Sequence, residues 1–312
     1  MKRWQAISLL VVANIFWAGN FLAGRILRFS MGPFTLNGIR WIISALILLI
    51  VVRISKEKVP LRKEWRAFLW LGTMGMVLFS ALTYWGLTMV PAGEAGLLAG
   101  FTPIAVLVAG VFLAGDAVRP LQWGMVGVSL IGEVVLLGIG SGQSMLAHNW
   151  IGPAALILAT IAWGIYTALS RRYRFRFSPL VMTAGAAVWG AVPSAVLGAI
   201  DCAVQPIHLT MGSVLAVLYV SSFASVAAFI FWVTGVKTLG SGAAAPFINL
   251  IPVFTAALAV LFLHEQLAPR DFVGGALIIA GALGASLAVS AKQGKNLPGQ
   301  SERLDMPVER HR

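Results

Sequence analysis

The chain has 312 residues and a formal net charge of +12, yet only 11% of them are charged and 59% are hydrophobic. A soluble globular domain carries about a quarter charged residues, so this composition excludes one. One cysteine, Cys202, excludes an internal disulfide framework and any multi-cysteine metal site. His148, His208, His264 and His311 are scattered without metal-ligand spacing, and no nucleophile–base pairing stands out. Neither an enzyme nor a metal or other cofactor is expected.

Long uncharged runs separate the charge clusters, among them Gln5–Gly24, Ala67–Gly93, Ala95–Gly115, Val134–Ser170, Ala203–Val236 and Thr238–Leu263. About 20 apolar residues cross the hydrocarbon core of a bilayer. With turn residues and flanking charges, these runs predict an all-α polytopic membrane protein. Its ten spans are expected at 5–26, 33–52, 65–87, 93–114, 120–138, 149–170, 179–199, 211–236, 241–262 and 269–290. The first follows Lys2 and Arg3 as a signal peptide would, but its apolar core is too long and no small-x-small cleavage site follows, so it is read as a retained helix. After Ala291 a polar tail with Pro, Gly and Ser is expected to be disordered.

Taking the N-terminus as cytoplasmic, the inner segments hold 19 Lys and Arg, against 3 outside (Arg25, Arg28 and Arg270), with Arg40 inside a span. The positive-inside rule then places both termini in the cytoplasm. The same asymmetry accounts for the basic run RRYRFR at 171–176 as a topology signal, so nucleic acid is not an expected partner. The expected partners are the lipid bilayer and a small-molecule substrate.

The stretch NIFWAGNFLAGR at 14–25 is echoed by TIAWGIYTALSR at 160–171: Ile15, Trp17 and Arg25 match Ile161, Trp163 and Arg171, and Pro33 matches Pro179. A nearby offset aligns Gly86 with Gly235, Pro103 with Pro252 and Asp116 with Glu265. Each half has five helices, and an odd number inverts the second copy. Two inverted five-helix repeats are therefore expected, residues 1–145 and 146–291, followed by a cytoplasmic tail at 292–312. Inverted repeats are the architecture of many secondary transporters.

Polar residues within spans must face protein or a water-filled cavity. Asn14, Trp17 and Asn20 form a slanted stripe on the first helix, with Thr160, Trp163 and Tyr166 their counterparts on the sixth. They either line a cavity or hydrogen-bond between helices. Tyr84-Trp85 and Phe231-Trp232 add aromatic surface, as cavity wall or interfacial belt. Asn249 lies one turn before Pro252, where a lost backbone donor frees polar groups. Arg40 and Glu133 both fall roughly 8–10 Å below the outer boundary and could pair. Glu94, at the outer start of the fourth helix, is a rival partner for Arg40, and coupling to protons could run through Glu94 or Glu133.

The sequence resembles the drug/metabolite transporter superfamily, EamA type, over residues 1–290. The match is carried by Trp17-Ala18-Gly19-Asn20-Phe21, by Arg40, by Pro103 and Pro252, and by a loop acid followed by a glycine-bearing helix. That last motif recurs as Asp116 with Gly124 and Gly127, and as Glu265 with Gly274 and Gly275. The resemblance implies ten helices, a central cavity lined mainly by helices 1, 3, 4, 6, 8 and 9, and export of small metabolites. Relatives move amino acids, including aromatic ones, and the superfamily extends to nucleotide sugars. Two departures from the family pattern are Asp116, where Glu is usual, and Glu133, where an apolar residue is usual.

The expected function is thus a bacterial inner-membrane exporter of small amphipathic metabolites, amino acids or their relatives, working by alternating access. A passive facilitative channel and a scaffold or enzyme subunit without transport are the alternatives. The expected substrate-binding set is Asn14, Trp17, Asn20, Tyr84, Trp85, Trp163, Tyr166, Phe231, Trp232 and Asn249; the intramembrane or coupling charges are Arg40, Glu94 and Glu133.

Overall fold

The computed structural model describes residues 1–90, 98–137, 150–263 and 269–293, and all regular structure among them is helical. The helices are α1 (Arg3–Leu27), α2 (Pro33–Ile54), α3 (Trp65–Leu87), α4 (Thr102–Ala114), α5 (Pro120–Leu137), α6 (Ile151–Arg172), α7 (Pro179–Val204) and α8 (Met211–Leu239). They are followed by a composite α9 (Ser241–Ala244, Ala245–Asn249 and Leu250–Leu263) and by α10 (Pro269–Gln293). Among the described residues six helices are long and apolar enough to cross a membrane: α2, α3, α6, α7, α8 and the 241–258 part of α9. Shorter apolar helices lie at Thr102–Ala114, Pro120–Leu136 and Phe272–Ala285. The fold is that of an all-α polytopic membrane protein.

Local sequence sets the helix ends. Pro33 and Pro179 occupy the first turns of α2 and α7, where a missing N–H is harmless. Gly115 ends α4 in the left-handed region at φ 66°, which only glycine adopts without cost. Pro103, expected inside a helix starting at 93, instead sits in the first turn of α4. Pro252 likewise follows a 3₁₀ stretch, Ala245–Asn249, near the start of the last α segment of α9. Both prolines follow a break because their rings would clash with an uninterrupted preceding turn.

The two halves interlock through paired helices. α2 packs most extensively on α7, and α5 on α10. Close approach requires bare backbone at these crossings. A Cβ on Gly38 would lie 2.8 Å from the Ser194 carbonyl oxygen, and one on Gly132 would lie 2.7 Å from that of Gly274. The α2–α7 pair is also tied at both ends. The Asp201 carboxylate accepts the Thr35 N–H (2.9 Å) at the start of α2, and Ser178, the N-cap of α7, donates to Glu57 beyond the end of α2. Each helix thus offers a carboxylate to its neighbour's N-terminus, where the macrodipole favours negative charge.

α3 and α8 share a backbone feature with no sequence forewarning. Each contains an eight-residue π-helical segment, Gly72–Phe79 and Val220–Ala227. Their positions, though not their residues, coincide at an offset of 148. Such widened turns leave carbonyls without their usual α-helical partner. Met76 O accepts from Asn37 Nδ2 (3.0 Å), and Ala224 O, its offset equivalent, accepts from Trp17 Nε1 (2.9 Å).

Candidate functional site

The repeated tryptophans meet. Trp17 on α1 and Trp163 on α6 stand edge to face, ring centroids 5.2 Å apart, and both are buried. Trp232 on α8 closes the group at 5.6 Å from Trp17 and 5.7 Å from Trp163. Phe229, one turn earlier on α8, contacts Trp17, Trp163, Tyr166 and Trp41. Phe79, in the α3 π segment, lies 4.5 Å from Trp163. Aromatic rings with opposed face and edge charges prefer such tilted and T-shaped packing. The indole donors are directed as well: Trp17 to Ala224 O, and Trp232 Nε1 to Thr167 Oγ1 (3.2 Å).

This cluster is packed, and its members are buried apart from the partly buried Phe79. A depression of about 330 Å³ on the basic face, beside Glu64, Tyr173 and Arg176, does not reach it. Nor does a groove of about 180 Å³ between α2 and α7.

A polar group sits one turn along α8 from the rings. Arg40 donates from Nε to Ser225 Oγ and from Nη1 to Tyr84 OH (2.8 Å); Tyr84 OH donates on to Asn20 Oδ1 (2.9 Å). Ser225 Oγ in turn donates to Val220 O (2.8 Å), and Ser44 Oγ to Ser221 O (2.9 Å). Both acceptors are carbonyls of the π segment. The guanidinium lies 5.0 Å from the Trp41 ring centroid and 5.8 Å from that of Tyr84, within cation–π range. Arg40 is only 4% exposed.

The other expected site residues distribute differently. Asn14 donates to Leu10 O (2.7 Å) on its own helix, and its buried Oδ1 has no partner among the described residues. Asn249 is tied to Ser129 of α5 (3.0 Å). Trp85 tilts against Phe34 and Phe231 stacks on Phe16, so neither belongs to the central cluster. Adjacent residues on a helix point about 100° apart, which is why Tyr84 and Trp232 turn inward while their neighbours do not.

The pairing of Arg40 with Glu133 is not formed: Arg40 bonds hydroxyls, while the buried Glu133 carboxyl lies over Gly100 with Oε2 unpartnered among the described residues. The two residues sit on helices serving different parts of the bundle, which sequence depth alone could not separate. Glu94 and Glu265 lie outside the described residues. Sequence reasoning passed over Phe229, Trp41 and Phe79. Phe229 was recoverable, since it precedes Trp232 by three residues and so shares its face.

The basic face carries its own tie. Arg171, ending the second copy of the motif, meets Asp116 (Nε–Oδ1 3.2 Å) and donates from Nη1 to Lys237 O (2.6 Å). Asp116 Oδ2 accepts the backbone N–H of Ser241 (3.1 Å) and its hydroxyl. Three connections are drawn together at one point.

A helical membrane bundle whose two halves cross through paired helices, with a motif-bearing aromatic centre, defines a polytopic transporter-like class. The chain belongs to the EamA-like transporter family, whose model matches it twice, over residues 4–138 and 150–287. It is similar to a probable terminal-alkyne amino-acid exporter of Streptantibioticus cattleyicolor, 27% identical, covering 91% of this chain and 94% of that one. A probable amino-acid metabolite efflux pump of Escherichia coli is 25% identical, covering 90% and 94%. An uncharacterized transporter of Archaeoglobus fulgidus is also 25% identical, covering 88% and 94%. A protein solved by crystallography aligns with a TM-score of 0.77 at 23% identity, over 94% of this chain and 100% of that one, which shows the fold.

Proposed function

We propose that this membrane transporter is a secondary exporter of small metabolites, amino acids or related amphipathic compounds, working by alternating access in a bacterial inner membrane. Both termini are cytoplasmic in this reading. Residues 1–145 and 146–291 are its two repeats, and the substrate site lies where Trp17 and Trp163 meet. The observation that carries it is that contact: both copies of the motif and Trp232 come together at the centre of the bundle. The names of the Streptantibioticus and Escherichia relatives support the substrate class.

In this reading the packed rings are a closed conformation, and separating α1 from α6 and α8 opens a site walled by aromatic faces. Those faces would hold the apolar part of a ligand while a few polar groups orient it. Purified protein in liposomes, given a panel of radiolabelled amino acids, tests this. Saturable flux that rises with protein content is the expected result; linear, unsaturated leak across the whole panel would sink the proposal.

A further inference from the structure

A buried arginine in a membrane bundle ordinarily meets a carboxylate, because an uncompensated charge in low dielectric is unfavourable. Arg40 does not among the described residues. Its bonds use Nε and Nη1, both to neutral hydroxyls, and none among those residues uses Nη2. The acceptors are held in place from behind: Ser225 by Val220 O of the π segment, Tyr84 by Asn20. What results is a fixed positive group whose Nη2 is bonded by no described residue, one helical turn from the aromatic centre through Ser225 and Phe229.

We propose that Arg40, supported by Tyr84, Ser225 and Asn20, receives a carboxylate at one end of the transported molecule, whose apolar remainder faces Phe229 and the tryptophans. This rests on the transport reading above and narrows it to carboxylate-bearing amphipaths. A guanidinium suits the task because its fork matches the two oxygens of a carboxylate, and such charge-assisted bonds are about twice as strong as neutral ones. The ligand's negative charge would also supply a compensation that no described residue gives Arg40. Tyr84 OH can accept from Arg40 while donating to the ligand in place of Asn20.

The test uses the full-length protein in liposomes with matched probes: L-phenylalanine, L-leucine and L-methionine against their carboxamides, which differ at the acid group alone. Wild type should take up the acids with apparent affinity about tenfold to a hundredfold better than the amides, the range one charged hydrogen bond supports. Arg40→Gln should collapse that ratio by weakening the acids far more than the amides. Tyr84→Phe, which removes one hydroxyl and keeps the ring, should lower the ratio severalfold even if Arg40→Gln does not fold. Equal handling of acids and amides by the wild type, or an unchanged ratio in Tyr84→Phe and Arg40→Gln, overturns the proposal while leaving transport standing. Absence of saturable flux for every probe overturns the transport reading and this one with it.

Discussion

Arg171 Nε lies 3.2 Å from Asp116 Oδ1, joining the end of α6 to the link between α4 and α5, and the same carboxylate holds the first residue of α9. The two side chains are 18% and 13% exposed, so solvent screens the pair only in part. Asp116→Asn and Arg171→Gln should each lower the melting temperature of the purified protein. A double-mutant cycle should return a coupling of about 1 kcal/mol, at the upper end for partly exposed pairs. Arg171→Gln should cost more than Asp116→Asn, because it also abandons the Lys237 carbonyl. Strictly additive losses would remove the pair as a structural tie.

Trp17 and Trp163 should respond differently to replacement by phenylalanine. Trp17→Phe strips the donor from Ala224 O, a carbonyl of the widened turn, and should destabilise by about 1–3 kcal/mol. Trp163 gives up ring area alone and should be affected less by phenylalanine than by alanine, where a loss of about 3–5 kcal/mol is expected for a large buried aromatic. Thermal unfolding in detergent, followed by near-ultraviolet circular dichroism, checks the order. A Trp163→Phe loss larger than that of Trp17→Phe would contradict the role given to the indole N–H.

Gly100 and Glu133 should be coupled. A Cβ on Gly100 would lie within van der Waals overlap of Glu133 Oε2, so Gly100→Ala should reduce yield and stability. Shortening the opposing residue, as in Gly100→Ala with Glu133→Ala, should restore part of the loss. Glu133→Gln alone keeps the shape and removes a buried ionisable carboxyl whose Oε2 has no partner among the described residues, so it should be neutral or stabilising. Destabilisation by Glu133→Gln comparable to that of Gly100→Ala would show that the carboxylate has a partner essential to folding.

Orientation is open to labelling in a Cys202→Ser background. Phe175, 86% exposed beyond α6, and Leu209, 68% exposed before α8, flank opposite ends of α7. A cysteine at 175 should react with an impermeant maleimide only after cells are opened, and one at 209 should react in intact cells. The reverse pattern would invert the bundle and void the basic-inside assignment.

The spans were legible in the sequence because charge is excluded from hydrocarbon, and α3 begins and ends at the expected residues, 65 and 87. The encounter of Trp17 with Trp163 was legible in part, since the recurrence of one motif at 14–25 and 160–171 singled out both residues. The partners of Arg40 were not, because depth along a helix says nothing about which neighbour it faces. The π segments left no trace in composition: GTMGMVLF and VSSFASVA share no residue at matching positions except a small or apolar character. Widened turns are stabilised by donors found elsewhere in the fold, here Asn37 and Trp17.

Those two segments also bear on how their helices are wound. A π turn closes on one residue more than an α turn, and in each segment a carbonyl is taken up by a side-chain donor from another helix, Asn37 for Met76 O and Trp17 for Ala224 O. The widened turn is thus held from outside its own helix. Withdrawing either donor leaves the carbonyl to bond within its own chain, which favours rewinding of that segment toward the tighter α turn.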